Sequence, residues 1–232
     1  MGMGYSRCQQ AFRIVAVGCL VAALQPIESA SASTGGQVTS ADIKQSQNSY
    51  NEKSAYAYSL PNANGKDTPV ASFKGKYVLI VNLARKSSYA DQLPALIKLS
   101  ERFRDRGLVV IGIPSNDFGA SEPGTDQEIQ KAYADAKVSF PVMSVSKIIG
   151  DDRIPLYGYL TDSKDAPNGG AVHWNYSKFI LDKDGNVIAR LEPAVSPDSP
   201  EMISTIDDIL AGKYKPKQSK AFDEKSKDKP LE

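Results

Sequence analysis

The chain is 232 residues long and 41% hydrophobic, with 28 basic residues against 27 acidic ones and a formal net charge of +1. That length and apolar content suit one ordinary core, and the balanced charge gives no sign of the basic excess on one face that nucleic-acid binding needs. A single histidine, His173, excludes a histidine-rich metal site, and the two cysteines, Cys8 and Cys19, leave the rest of the chain without a thiol.

Arg7 and Arg13 flank the start of an apolar run, Ile14–Leu24, and Ala30-Ser31-Ala32 follows with the small-x-small pattern of a cleavage site. The run is shorter than the roughly 20 residues that cross a bilayer. Residues 1–32 therefore read as a secretory signal peptide, with a mature chain starting near Ser33 and a periplasmic or secreted location. A lipid anchor on Cys19 is the competing reading, although it would leave a greasy segment attached after the cysteine. On the signal-peptide reading both cysteines depart with the leader, so no disulfide framework is expected.

Residues 33–54 are rich in Ser, Gly, Gln and Asn and read as a flexible lead-in; 55–212 carry the folded domain. Tyr77–Leu83, after a Lys74-Gly75-Lys76 turn, is a continuous apolar run and predicts a buried central strand. Asp91–Arg106 places Leu93, Leu96, Ile97, Leu99 and Phe103 near helical spacing, with Gly107 as its C-terminal cap. Leu108–Ile113 predicts a second buried strand, so the unit is a right-handed parallel crossover. Thr125-Asp126-Gln127-Glu128 fits a capping box opening a helix to Lys137.

Phe140-Pro141-Val142-Met143 follows this helix. Lys178–Leu181 and Val187–Leu191 then flank Asp182-Lys183-Asp184-Gly185-Asn186 and predict a hairpin. Half a calcium loop is the alternative reading of that turn, but its twelfth-position Glu is missing. Asp151-Asp152 is an equally weak metal candidate, so neither a metal nor a cofactor is expected. Pro200-Glu201 opens a last helix with Ile203, Ile206, Ile209 and Leu210 on one face. Residues 213–232 alternate Lys, Asp and Glu and read as a disordered charged tail, with weak docking as the alternative. The sum is an α/β chain: a three-layer α/β/α sandwich with a mixed central sheet, in the order of a thioredoxin-like fold.

Four ordered segments resemble the glutathione peroxidase family: Lys76–Ser88, Gly107–Gly124, Phe140-Pro141 and Trp174–Gly185. Within them, Trp174-Asn175-Tyr176-Ser177-Lys178-Phe179 is similar to the family's Trp-Asn-Phe-x-Lys-Phe signature. The resemblance runs from about Tyr56 to Leu210. It implies that a site of four residues falls on Ser87, Asp117, Trp174 and Asn175. The family has a cysteine or selenocysteine where Ser87 stands and a Gln where Asp117 stands.

Both departures remove chemistry. A peroxidatic thiolate attacks the O–O bond and becomes a sulfenic acid that a second thiol resolves, whereas a serine hydroxyl has no such oxidation cycle. An ionised Asp only accepts hydrogen bonds, where a Gln amide can donate one to a thiolate. Ser115 stands where many relatives have Cys, and the helix after Thr125 offers only Ala132 and Tyr133 where thioredoxin-dependent relatives bear the resolving Cys.

The resemblance thus points to an exported pseudo-peroxidase, a non-catalytic binding or scaffold protein with an unidentified protein partner. One alternative is a hydroperoxide reductase of oxidative-stress defence using glutathione or thioredoxin. Another is a hydrolase built on Ser87, His173 and Asp117. Trp174 and Asn175 either frame a retained polar pocket or serve the core, with Trp174 capping it and Asn175 satisfying buried backbone groups of the Ser87 loop. The connection from Thr161 to Val172 lacks the insertion that tetrameric relatives use, which implies a monomer.

Overall fold

The computed structural model describes residues 54–162 and 169–216, all within the unit Thr39–Glu232. The expected leader, most of the lead-in, both cysteines and the tail from residue 217 onward lie outside the described residues. Among the described residues no helix is long and apolar enough to cross a membrane.

The centre is a four-stranded sheet of β3 (Tyr77–Leu83), β4 (Leu108–Pro114), β5 (Lys178–Leu181) and β6 (Val187–Leu191), in the order β4-β3-β5-β6. A small pair, β1 (Ser59–Leu60) and β2 (Thr68–Pro69), precedes it. β3 and β4 run parallel, with Leu83 beside Pro114, and are joined by α1 (Leu93–Arg104). β5 runs antiparallel to β3, placing Val81 beside Lys178, and β6 returns along β5. The carboxyl ends of β3 and β4 and the amino end of β5 therefore share one edge of the sheet.

β3 reads as an apolar run, broken only by Asn82, because both its faces are covered. Alternate side chains enter different layers. Leu79, Val81 and Leu83 pack with Leu96, Leu99 and Phe103 of α1, Ile129 and Tyr133 of α2 (Asp126–Asp135), and Met202, Ile206 and Ile209 of α4 (Pro200–Leu210). Val78 and Ile80 pack on the other side with Leu156, Tyr157 and Leu160 of α3 (Pro155–Asp162) and with Ala55, Tyr58 and Leu60. This is the three-layer, thioredoxin-like sandwich that the sequence predicts.

Local chemistry accounts for the boundaries. A 3₁₀ turn over Ala90–Gln92 takes the place of the first turn expected of α1, and Gly107 adopts φ +98° just beyond its end. Both halves of the Thr125–Glu128 capping box form. In the hairpin, the Asp182 carboxylate accepts from the N–H groups of Asp184 and Asn186 (2.9 and 2.8 Å), so it serves the turn. α3 is the element that periodicity does not predict: Leu156 through Thr161 are all buried, so the segment has no polar stripe to reveal a helix.

Candidate functional site

Three loops meet at the shared edge of the sheet. The first leaves β3 and turns at once: Ser87 N–H donates to the Ala84 carbonyl (3.3 Å), and Ala90 N–H donates back to the Ser87 carbonyl (3.0 Å). The Ser87 hydroxyl accepts from Tyr89 N–H at 3.3 Å, the local bond of a serine turn, and the residue is 8% exposed. Lys86 N–H reaches the Ser121 carbonyl at 2.9 Å, and Arg85 binds the Glu122 carboxylate and the Pro123 carbonyl. These bonds fasten the Ser87 turn to the second loop.

That second loop leaves β4, where Ser115 N–H donates to the Leu83 carbonyl at 3.0 Å. Asn116 Oδ1 accepts from Glu122 N–H at 2.8 Å and closes the loop on itself. Glu122 is buried and also accepts from the Tyr133 hydroxyl at 3.0 Å. Burial and the neighbouring carboxylate push the Tyr133 hydroxyl well above its ordinary pKa, so it stays a donor.

The third loop precedes β5. Trp174 is 39% exposed and lies against Phe118 with ring centroids 5.7 Å apart. Its carbonyl accepts from Asn82 Nδ2 at 3.2 Å and from the Ser177 hydroxyl at 3.0 Å. Asn175 is fully buried and donates from Nδ2 to the Phe118 carbonyl at 3.3 Å. Tyr176 has φ +66°, and its N–H donates to the Asn82 carbonyl at 2.8 Å.

The expected site residues divide. Trp174 and Asn175 meet the β4 loop at Phe118, and the Ser87 turn meets the same loop at Ser121 and Glu122. Asn175 Nδ2 bonds the half-buried Phe118 carbonyl of the β4 loop, not the backbone of the Ser87 loop that the sequence suggests for it. The Asp117 carboxylate is occupied by backbone groups: its Oδ2 accepts from the N–H groups of Ile148 and Ile149 at 2.7 and 3.3 Å. Asp117 thus borders a separate cleft of about 440 Å³ with Asn116, Val145, Ser146 and Lys147. His173 is exposed, and none of the described hydrogen bonds joins it to Ser87 or Asp117.

Three further residues shape the site. Asn82 interrupts the apolar run of β3, a visible signal, and its backbone and side chain both hold the third loop. Glu122 carried no such signal. Lys178 lies inside the Trp-Asn motif, yet nothing in the motif shows that its ammonium is buried. Burial lowers its pKa to about 8, with Glu192 opposing the shift.

The profile of the glutathione peroxidase family matches residues 55–161. A probable phospholipid hydroperoxide glutathione peroxidase of Solanum lycopersicum is 36% identical over 157 residues, which are 65% of this chain and 90% of that protein. A glutathione peroxidase-like peroxiredoxin of Chlamydomonas reinhardtii is 37% identical over 145 residues, 62% of this chain and 90% of the relative. Among solved structures, the crystal structure of Trgpx in apo form superposes with a TM-score of 0.55 at 28% identity, covering 69% of this chain and 97% of the other.

Proposed function

The chain belongs to the glutathione peroxidase family, and from that premise we propose that it is an exported, non-catalytic member that uses the fold for binding or scaffolding. One observation carries this reading. By the resemblance of its motif, Ser87 stands where the family carries a cysteine or selenocysteine, and the chain's two cysteines, Cys8 and Cys19, lie in the segment read as a removable leader. A hydroxyl cannot cycle through a sulfenic acid, and no second thiol in the mature chain could resolve one. The Ser87 hydroxyl accepts from Tyr89 N–H, a turn-forming role that needs no reactivity. An unidentified periplasmic protein is the proposed partner, engaged by a monomer.

The test is peroxide consumption by the chain, with glutathione or thioredoxin as reductant, in parallel with a Ser87→Cys variant. The unmodified chain is expected to consume none. Turnover by the unmodified chain would overturn the proposal.

The placement of Trp174 and Asn175 together beside Phe118 favours a second reading, a hydroperoxide reductase in oxidative-stress defence. The curated relatives named as phospholipid hydroperoxide glutathione peroxidases suggest lipid hydroperoxides as the substrate to try first. A partner, by contrast, would be sought by pull-down from periplasmic extract.

A further inference from the structure

Lys178 is fully buried, and none of the ion pairs among the described residues includes it. Its three N–H donors face three oxygens: Gln92 Oε1 at 3.0 Å, the Tyr176 carbonyl at 2.9 Å and the Pro193 carbonyl at 3.4 Å. Donors and acceptors match in number, so the ammonium is satisfied without a carboxylate. Gln92 in turn donates from Nε2 to the Pro193 carbonyl at 2.8 Å and closes the cage.

Two of these acceptors belong to the walls of the candidate site. Gln92 ends the 3₁₀ turn that follows Ser87. Tyr176 follows Trp174 and Asn175 and holds φ +66°, a left-handed conformation unfavourable for a bulky side chain. Such strain persists only where the surroundings over-determine it. Here Asn82 accepts from the Tyr176 N–H and Lys178 donates to its carbonyl, so both backbone polar groups of the strained residue are held.

We infer that Lys178 is a positioning residue: its ammonium pins the left-handed Tyr176 and the end of the Ser87 turn together, and so sets where Trp174 and Asn175 stand. The role does not depend on whether the site is catalytic. It is also distinct from Asn82, which holds the same loop from β3. The charged and titratable groups around the cage are Glu192 beyond β6, the Tyr176 hydroxyl, and Asp91 and Glu122, both of which act on Tyr176. Burial and these two carboxylates keep the Tyr176 hydroxyl protonated, so across neutral and mildly alkaline pH the titrating member is Lys178. On deprotonation two donors remain for three acceptors, and the Tyr176 carbonyl and its companions must share them.

Trp174 is the only tryptophan in the chain, so its emission reports on this wall alone. The experiment follows Trp174 emission and acrylamide quenching from about pH 6 to about pH 10, in the full chain and in Lys178→Met, both carrying His173→Gln to remove the adjacent imidazole. The chain with Lys178 is expected to show a transition near pH 8. Lys178→Met should lack it and quench about two-fold more readily at neutral pH, since a loosened wall exposes a ring now 39% exposed. A folded Lys178→Met chain with unchanged quenching, or one that keeps the transition, overturns the inference. If that variant does not fold, the Lys178 Cε and Trp174 indole N–H signals are titrated by NMR in the unsubstituted chain. A shared midpoint supports the inference, and separate midpoints or an unmoving indole overturn it.

Discussion

Arg85 presents both its backbone N–H and its guanidinium Nε to one buried carboxylate, that of Glu122. The Tyr133 hydroxyl occupies the same carboxylate, so a single acidic group links the turn before Ser87, the β4 loop and α2. The pair is asymmetric, because the Arg85 side chain keeps 27% of its surface in water while that of Glu122 keeps none. The carboxylate therefore depends on its three donors, and the arginine depends on it less.

Glu122→Gln is expected to destabilise the fold by about 2–4 kcal/mol, because an amide cannot accept from all three donors and buries an NH₂ against them. Arg85→Lys, which leaves the backbone N–H and Tyr133 contacts in place, should cost about 1–2 kcal/mol. Urea unfolding of the two variants checks the order. A Glu122→Gln loss no larger than that of Arg85→Lys would show that the carboxylate is not the hub.

Asp117 gives a prediction about restoring chemistry. Since its carboxylate holds Ile148 and Ile149 N–H, Ser87→Cys/Asp117→Gln has to release these two amides before a Gln could face the new thiol. The added Asp117→Gln change should cost about 1–3 kcal/mol of stability relative to Ser87→Cys alone, the range for unsatisfied buried groups. Thermal unfolding of the single and double variants measures it. Equal stability would mean that Asp117 is not a clamp.

Much of the frame was legible because its signals are local. The apolar runs of β3 and β4, the Thr125–Glu128 capping box and the hairpin with Gly185 at φ +85° each lie within a few residues. Asp117 and Lys178 were not legible in the same way. The family motif suggests a role for Asp117 only by resemblance; its partners in the fold are backbone groups 31 and 32 residues away. Lys178 reads as an ordinary polar residue opening a strand, and its burial depends on Gln92, 86 residues earlier. Backbone acceptors carry no sequence signature, so a cage made of them is visible only after folding.

The buried ammonium also makes a prediction about stability and pH. The folded chain lowers the Lys178 pKa from 10.5 to about 8, chiefly by burial. Below pH 8 the lysine is charged in both states and the burial cost is constant. Between about 8 and 10.5 the unfolded chain holds the proton that the folded chain has released, so the Lys178 contribution to stability rises with pH. Measured as the difference between the chain and Lys178→Met, stability should increase by about 1–2 kcal/mol from pH 8 to pH 10. Denaturant titrations at several pH values test this, and a flat or falling difference would contradict it. The gain is global, while the loss of one donor is felt locally at Tyr176.

Gly112 gives the most direct test of how packing under the site reaches the Ser87 turn. It lies in β4, and its N–H and C=O pair with Pro141 O and Met143 N–H at 2.9 Å each. A β-carbon there would come within 2.5 Å of Leu83 Cδ1 and 3.1 Å of Phe140 Cε2. Leu83 is fully buried, so its side chain has to turn within a packed core or press on the ring of Phe140, and it immediately precedes Ala84, which accepts the Ser87 N–H. Gly112→Ala should therefore cost about 1–3 kcal/mol, the range for an overpacked core. Gly75, at φ +81° with nothing within 4 Å of its missing β-carbon, is the contrasting control. At Gly75 the cost of alanine is backbone strain alone, about 1–2 kcal/mol, and no core contact shifts. Amide exchange separates the two: Gly112→Ala should speed exchange at Ser87 and Ala90, while Gly75→Ala should leave both unchanged. If Gly112→Ala leaves them unchanged as well, Leu83 does not couple the core to the turn.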